Sequence, residues 1–260
     1  MAIALHFAGN TYTQDPGSYD FASALSKVFT IPAGSGLYAL LAMSSRFGTN
    51  IPKRISSASW TKSGGSPQAF SFITGTDIEY DGATEGRIEL WELLNLDPGG
   101  STGTLAATLA ESTRGAATLA VFSGVDLVNK HRVINAAAVS GVVTFQRDVQ
   151  SVDATDLVVD FVGSPDENAA YPPVKNAVAQ SYIAENLPGL NGGVMRSSMR
   201  AAASSPATSS PMLWKAFDDI HNVNCAYVGM ALIPAGASEA KKILIDRHGL
   251  RSLTQGLANS

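Results

Sequence analysis

The side chains best suited to chemistry in this 260-residue chain are a serine in a glycine-rich turn, four histidines, one cysteine and a short run of carboxylates. Gly99-Gly100-Ser101-Thr102-Gly103 has the letters G-x-S-x-G of a nucleophile elbow, which requires a strand before the serine and a helix after it. Here Leu105, Ala107 and Leu109 alternate as in a strand, so the glycines read as a hairpin loop following Arg87 to Leu94. His6, His131, His221 and His248 lie far apart and lack H-x-H or H-x-x-x-H spacing, so no metal motif emerges from them. Asp218-Asp219-Ile220-His221 offers groups for acid–base work, but it follows the Trp214 to Phe217 strand and has the composition of a turn. Cys225 is the only cysteine and sits in the apolar run Cys225 to Ile233, which excludes an intrachain disulfide and predicts a small buried residue.

Asp77-Ile78-Glu79-Tyr80-Asp81-Gly82 spaces oxygens at alternate positions before a glycine, as a calcium loop does. Asp77, Glu79 and Asp81 are thus candidate Ca²⁺ ligands. The bidentate glutamate of an EF-hand is missing, since its place is taken by Ile88, and no helices flank the segment. A solvated acidic loop is the plainer expectation, and no other cofactor is expected. Tyr12, Tyr19, Tyr80 and Tyr171 stand in loop-like contexts where an aromatic face with a polar tip could stack on a sugar, or simply anchor its own loop. Trp60, Trp91 and Trp214 fall inside strand patterns and are expected in the core or on a sheet face.

The elements that carry these residues read as strands. Short β-branched, aromatic or alternating runs recur between Gly/Pro/Asn/Asp/Ser clusters: Ala2 to Ala8, Lys27 to Ile31, Leu37 to Ser44, Arg54 to Thr61, Ala69 to Ile73 and Arg87 to Leu94. They continue as Gly103 to Ala110, Ala116 to Val125, Val142 to Gln146, Asp156 to Val162, Ala177 to Ala184, Val194 to Ala202, Met212 to Phe217 and Val223 to Ile233. Thr104 to Leu109 and Ala116 to Ala120 resemble each other as neighbouring strands would. The helical pattern at Phe21 to Leu25 is too short to stand alone. The spacing predicts an all-β fold, an antiparallel β-sandwich of jelly-roll type over residues 1–235, with a C-terminal arm or short helix over 236–260.

That arm holds Ile243, Leu244, Ile245, Arg247, Leu250, Arg251 and Leu253 outside a finished sandwich. Such side chains need somewhere to be buried, and a neighbouring subunit is the expected place; a flexible tail or one folded back on its own domain is the alternative. Charged residues make up only 15% of the chain, against a usual share of about 25%. A surface that is poor in charge suits packing against other subunits. The net charge of −4 and the lack of any Lys/Arg run longer than Lys241-Lys242 leave no footprint for nucleic acid. No apolar run is long enough to cross a membrane as a helix, and the Met1 to His6 start lacks the basic region of a secretory signal. Synthesis in the cytoplasm without a signal peptide is expected.

One series of motifs follows a familiar order: Phe29-Thr30-Ile31-Pro32-Ala33-Gly34-Ser35, Leu37 to Ala42, Ile55 to Trp60, Ile88 to Asn95, Gly103-Thr104-Leu105, Ala120 to Asp126, Asp156 to Asp160, and Ala231-Leu232-Ile233-Pro234. Over about residues 25–235 this resembles a family of β-sandwich structural proteins of tailed-phage virions and bacterial surface proteins. The resemblance carries no catalytic motif, and the Asn10 to Asp20 loop and the arm lie outside it. It implies a virion protein, a capsid decoration, head-fibre or tail-associated subunit whose partners are other virion proteins and copies of itself. The alternative it leaves open is a receptor- or carbohydrate-binding module with surface glycan as partner. A hydrolase using Ser101 stands third.

Overall fold

The computed structural model describes residues 2–12, 22–46, 55–80, 86–100, 102–150, 153–165, 174–176, 181–186, 193–201, 209–216 and 223–236. Among them the only regular elements are strands. The first eight are β1 (Ala4–Tyr12), β2 (Ala22–Thr30), β3 (Tyr38–Arg46), β4 (Ile55–Lys62), β5 (Gln68–Ala69), β6 (Ser71–Phe72), β7 (Ile78–Tyr80) and β8 (Gly86–Leu94). The long β9 (Thr102–Ser123) leads to β10 (His131–Val142), β11 (Thr144–Gln150), β12 (Leu157–Pro165) and β13 (Val174–Asn176). The last are β14 (Ser181–Asn186), β15 (Gly193–Ala201), β16 (Ser209–Ala216) and β17 (Val223–Leu232). All pairings are antiparallel, so the expected antiparallel β-sandwich class holds.

The strands stack as four layers around three cores. β9 organises the first two layers. Its C-terminal half lies between β1 and β3, with Tyr12 opposite Ala116 and Arg46 opposite Arg114. Its N-terminal half lies between β2 and β4, with Ala22 opposite Thr113 and Ile55 opposite Leu109. The two halves face each other across the first core, where Leu105, Ala107 and Leu109 meet Ala117, Leu119 and Val121. Fully buried Trp60 belongs to this core, its ring lying against Gly103 at the start of β9. The third layer, in the order β10-β17-β12-β15-β14, covers the other face of β3, β8 and β9 with Val159, Phe161, Val228 and Met230. The fourth, β11-β16-β13, closes the third core over Val158, Val162 and Tyr227.

Several details differ from the sequence expectation, among them β7 and β10, which lie outside the expected strands, and the expected strand Val142 to Gln146, which is divided at Val143 between β10 and β11. The segments 103–110 and 116–125 are one continuous 22-residue strand, because polar Glu111 to Arg114 carry no Gly or Pro to break extended backbone. Arg87 to Leu94 and Leu105 to Leu109 do not form a hairpin: β8 pairs with β3, β6 and β7, and the glycine-rich segment crosses from the second layer to the first. Gly99 and Gly100 still turn, each at φ 62°. The crossing is fastened by Leu96 N–H to Leu37 O at 3.0 Å and by Trp60 Nε1 to Asp97 O at 2.9 Å. The partial alternation of β8 agrees with its covered faces, Trp91 and Leu93 entering the first core and Ile88 and Leu90 the second.

Candidate functional site

Tyr80, placed on a ligand loop by its acidic neighbours, is 1% exposed on β7. Its ring lies over Gly86, where an added Cβ would come within 2.0 Å of the phenol, so no aromatic face is left for a sugar. Tyr12 ends β1, and its side chain lies outside the described residues, as do Tyr19 and Tyr171. Ser101, Asp218 to His221, and the arm with Ile243, Leu244, Ile245, Arg247, Leu250, Arg251 and Leu253 lie outside them as well. His6 Nε2 bonds Pro32 O at 2.9 Å, tying β1 to the turn after β2. Cys225 is fully buried, and burial pushes its thiol well up, as expected of an unreactive core residue. Trp60 and Trp214 are buried, and half-buried Trp91 packs against the first core.

The acidic segment is engaged by a cation from the chain itself. Arg87 donates through Nε and Nη2 to Asp77, and through Nη2 to Glu79 at 2.8 Å, with Arg87 only 6% exposed. The register explains it, since β7 sets Glu79 directly opposite Arg87. Asp81 is outside the described residues. Among the described residues no three His, Cys, Asp or Glu side chains gather as metal ligands do.

Beside this pair stands a carboxylate that sequence reasoning missed. Glu89 is 3% exposed in the first core and accepts a hydrogen bond from Ile55 N at 2.5 Å. Burial pushes its carboxyl up to about 7. The Ile55 amide opposes that shift, and so does the Trp91 indole, although its N–H has no partner in good hydrogen-bond geometry. The only trace of this in the sequence is a glutamate on the core-facing parity of a strand.

Two further polar groupings tie layers together. At the end where the chain leaves β9 for β10, Glu92 accepts from Tyr38 Oη at 2.8 Å and from Lys130 Nζ. Next to them Arg132 Nε donates to Asp156 at 2.8 Å, and burial pulls His131 down while Glu92 partly restores it. The same corner is pinned by Asp126 N–H to Ile233 O and Ala235 N–H to Gly124 O, both 2.8 Å. In the third core Trp214 donates to Asp160.

The opposite end collects strand termini. Arg46 pairs with Gly86 and with Arg114, and Tyr12 pairs with Ala116 two residues further along β9. Gly163, near the end of β12, packs so closely on Ser44 that an added Cβ would lie 2.6 Å from the serine oxygen. Pro165 and Gly193 pair just beyond it. The chain therefore enters segments 13–21, 47–54, 81–85 and 166–173 from one end of the stack. No family model matches the sequence, and no curated protein matches it.

Proposed function

We propose that this chain is a non-catalytic structural subunit of a tailed-phage virion, a capsid decoration, head-fibre or tail-associated protein that packs against copies of itself and other virion proteins. The observation that carries the reading is the outer face of the first layer. Ala24, Ser26 and Val28 of β2 stand beside Thr108, Ala106 and Thr104 of β9, which stand beside Ser57, Ser59 and Thr61 of β4. None is charged, and Val28 is 59% exposed.

A face without ions meets another protein surface with no charge to desolvate and no like-charge contact, and small side chains allow sheets to stack at about 10 Å. Addition of a strand at the edge of β2 is disfavoured, because Lys27 shares the inward parity of Leu25 and Phe29 and stays exposed there. Stacking of faces is the mode this favours. The buried Arg87, Glu92 and Asp156 are each taken up in ion pairs within the chain, which supports a structural role for these buried charges. The segment after Gly236 serves in this reading as a strap onto a neighbour. Electron microscopy of the purified full chain is expected to show ordered multi-copy assemblies, and mass spectrometry to find the chain in purified particles. A monomer at every concentration, together with absence from particles, would sink the proposal.

A receptor- or carbohydrate-binding role is the second reading, favoured by the strand termini gathered at one end, from which the segments holding Tyr19 and Tyr171 depart. A glycan array separates the two. A purely structural subunit gives no hits.

A further inference from the structure

The outer face of the first layer is patterned in rows that run across its strands. Val28 of β2, Thr104 of β9 and Thr61 of β4 stand side by side in one row, and all three are β-branched. The next row, about 7 Å along the strands, is Ser26, Ala106 and Ser59, continued by Ala69 of β5, and every member is small. Thr30 and Thr102 lie beyond the β-branched row, and Ala24, Thr108 and Ser57 lie beyond the small one. A ridge thus runs beside a trough on a face without charge.

Charge is kept to the rim. Lys27 has the inward parity of β2 and reaches solvent at the edge of the sheet, and Lys62 at the end of β4 is tied to Asp97. The face itself offers hydroxyls, which both donate and accept. Each can take whichever role the group opposite leaves open, so such a face meets its own copy without conflict, whereas a face of like charges repels it.

Ridge and trough decide how two copies fit. A two-fold axis along the strands would lay β2 over β4 of the second copy, setting Val28 on Thr61 and Ser26 on Ser59, large on large and small on small. A two-fold axis across the strands, passing between the two rows, lays each ridge in the other copy's trough. Val28 then meets Ser26 of the second copy, Thr104 meets Ala106 and Thr61 meets Ser59, and each contact occurs twice. In the outer rows Ala24 meets Thr30, and Thr108 meets Thr102 in the one place where two β-branched side chains face each other. Aligned packing of this kind keeps the two strand directions within about 30° of each other. Val28, 59% exposed in the single chain, is covered.

We infer that the partner at this face is a second copy of the chain, stacked antiparallel about a two-fold axis that crosses the strands between Thr104 and Ala106. The pairing rests on the assembly reading above, and it fixes which surface of the partner is used and in what register. A two-fold contact closes on itself, so this face makes pairs, and any larger assembly grows through other surfaces.

Charge complementation in the full chain, followed by sedimentation, tests the pairing. Thr104→Lys alone sets two ammonium groups on Ala106, and Ala106→Asp alone sets two carboxylates on Thr104. Each variant is expected to raise the dissociation constant at least about 100-fold. In an equimolar mixture the introduced ammonium faces the introduced carboxylate, and pairing is expected to return to within about tenfold of wild type. Thr104→Lys mixed with Thr102→Asp is expected to stay monomeric, because the two-fold holds those positions about 14 Å apart along the strands. Circular dichroism checks that the variants fold, and Val28→Lys with Ser26→Asp repeats the test at two exposed positions of β2. Single variants that pair as well as wild type, a first mixture that stays monomeric, or recovery in the second mixture each overturns the pairing and leaves assembly through other surfaces standing. A wild-type chain that is monomeric at every concentration overturns the pairing and the assembly reading together.

Discussion

Trp214 Nε1 donates a hydrogen bond to Asp160 Oδ2 at 2.7 Å across the third core, and both side chains are fully buried. The bond joins β16 in the outermost layer to β12 in the sheet beneath it. Trp214→Phe removes the donor and leaves a polar oxygen in the core, besides a void where the larger ring was. A loss of about 2–4 kcal/mol is expected from chemical denaturation. Asp160→Asn keeps an acceptor at the same place and is expected to cost less than about 1.5 kcal/mol. A loss from Asp160→Asn as large as that from Trp214→Phe would show that the carboxylate itself, and not merely an acceptor at that place, holds this joint.

Alkali is expected to unfold the protein steeply. Burial raises the phenols of Tyr38 and Tyr227 well above their ordinary 10.0, with the negative charges of Glu92 and Asp160 adding to it, and it raises the Cys225 thiol above 9.0. Each group ionises more readily in the unfolded chain. The stability each one contributes is whole below its unfolded value and is lost as pH climbs toward the folded one. Each lost proton costs about 1.4 kcal/mol per pH unit, so the three together can exhaust a typical reserve of about 5–15 kcal/mol within a few units above pH 10. Circular dichroism and phenolate absorbance check this. Tyr38 and Tyr227 should ionise only as the fold is lost, and Tyr227→Phe, which removes a buried hydroxyl without a hydrogen-bond partner, should move the midpoint upward.

Gly103 and Gly64 are expected to respond very differently to alanine. A Cβ at Gly103 would lie 2.2 Å from the Trp60 ring, and that ring cannot step aside because it is fully buried and bonded to Asp97 O. Gly103→Ala is expected to cost about 2–4 kcal/mol by overpacking. At Gly64 nothing lies within 4 Å, and only its φ of 73° resists a side chain. Gly64→Ala is expected to cost about 1 kcal/mol. Thermal denaturation of both variants makes the comparison, and equal costs would contradict the close approach at Trp60.

What the sequence displays of this fold depends on how each strand is buried. The first half of β9 alternates cleanly because only one face meets the core, as Leu105, Ala107 and Leu109 show, whereas β4 alternates only from Ala58 onward, past the register shift after Ile55. β10 escapes such a reading because Asn135 to Ala138 have weak strand preference and gain their order from pairing with β17. Tyr80 was misleading for a related reason. Its acidic neighbours suggest a loop, but the Asp77 and Glu79 charges are answered by Arg87, ten and eight residues along the chain, and pairing with β8 draws the ring inside. The chemistry of Glu89 is legible only in three dimensions, since its raised carboxyl comes from burial between two layers joined by a strand that changes sheet.

The uncharged outer face of the first layer gives the assembly reading its sharpest test. Ser26 and Thr108 are both exposed there on adjacent strands. Lysine at either position reaches solvent in the isolated chain, so Ser26→Lys and Thr108→Lys should each change stability by no more than about 0.5 kcal/mol. In a stacked assembly the same ammonium would be forced against a neighbouring face that carries no carboxylate, and each copy would add its own. Burial of an unpaired charge costs several kcal/mol, enough to dissolve a contact made of small side chains. Sedimentation analysis of the Ser26→Lys, Thr108→Lys double variant is therefore expected to show folded monomers at concentrations where the wild-type chain assembles. If the double variant assembles as well as wild type, this face is not the contact, and the strap after Gly236 or the far end of the stack must provide it.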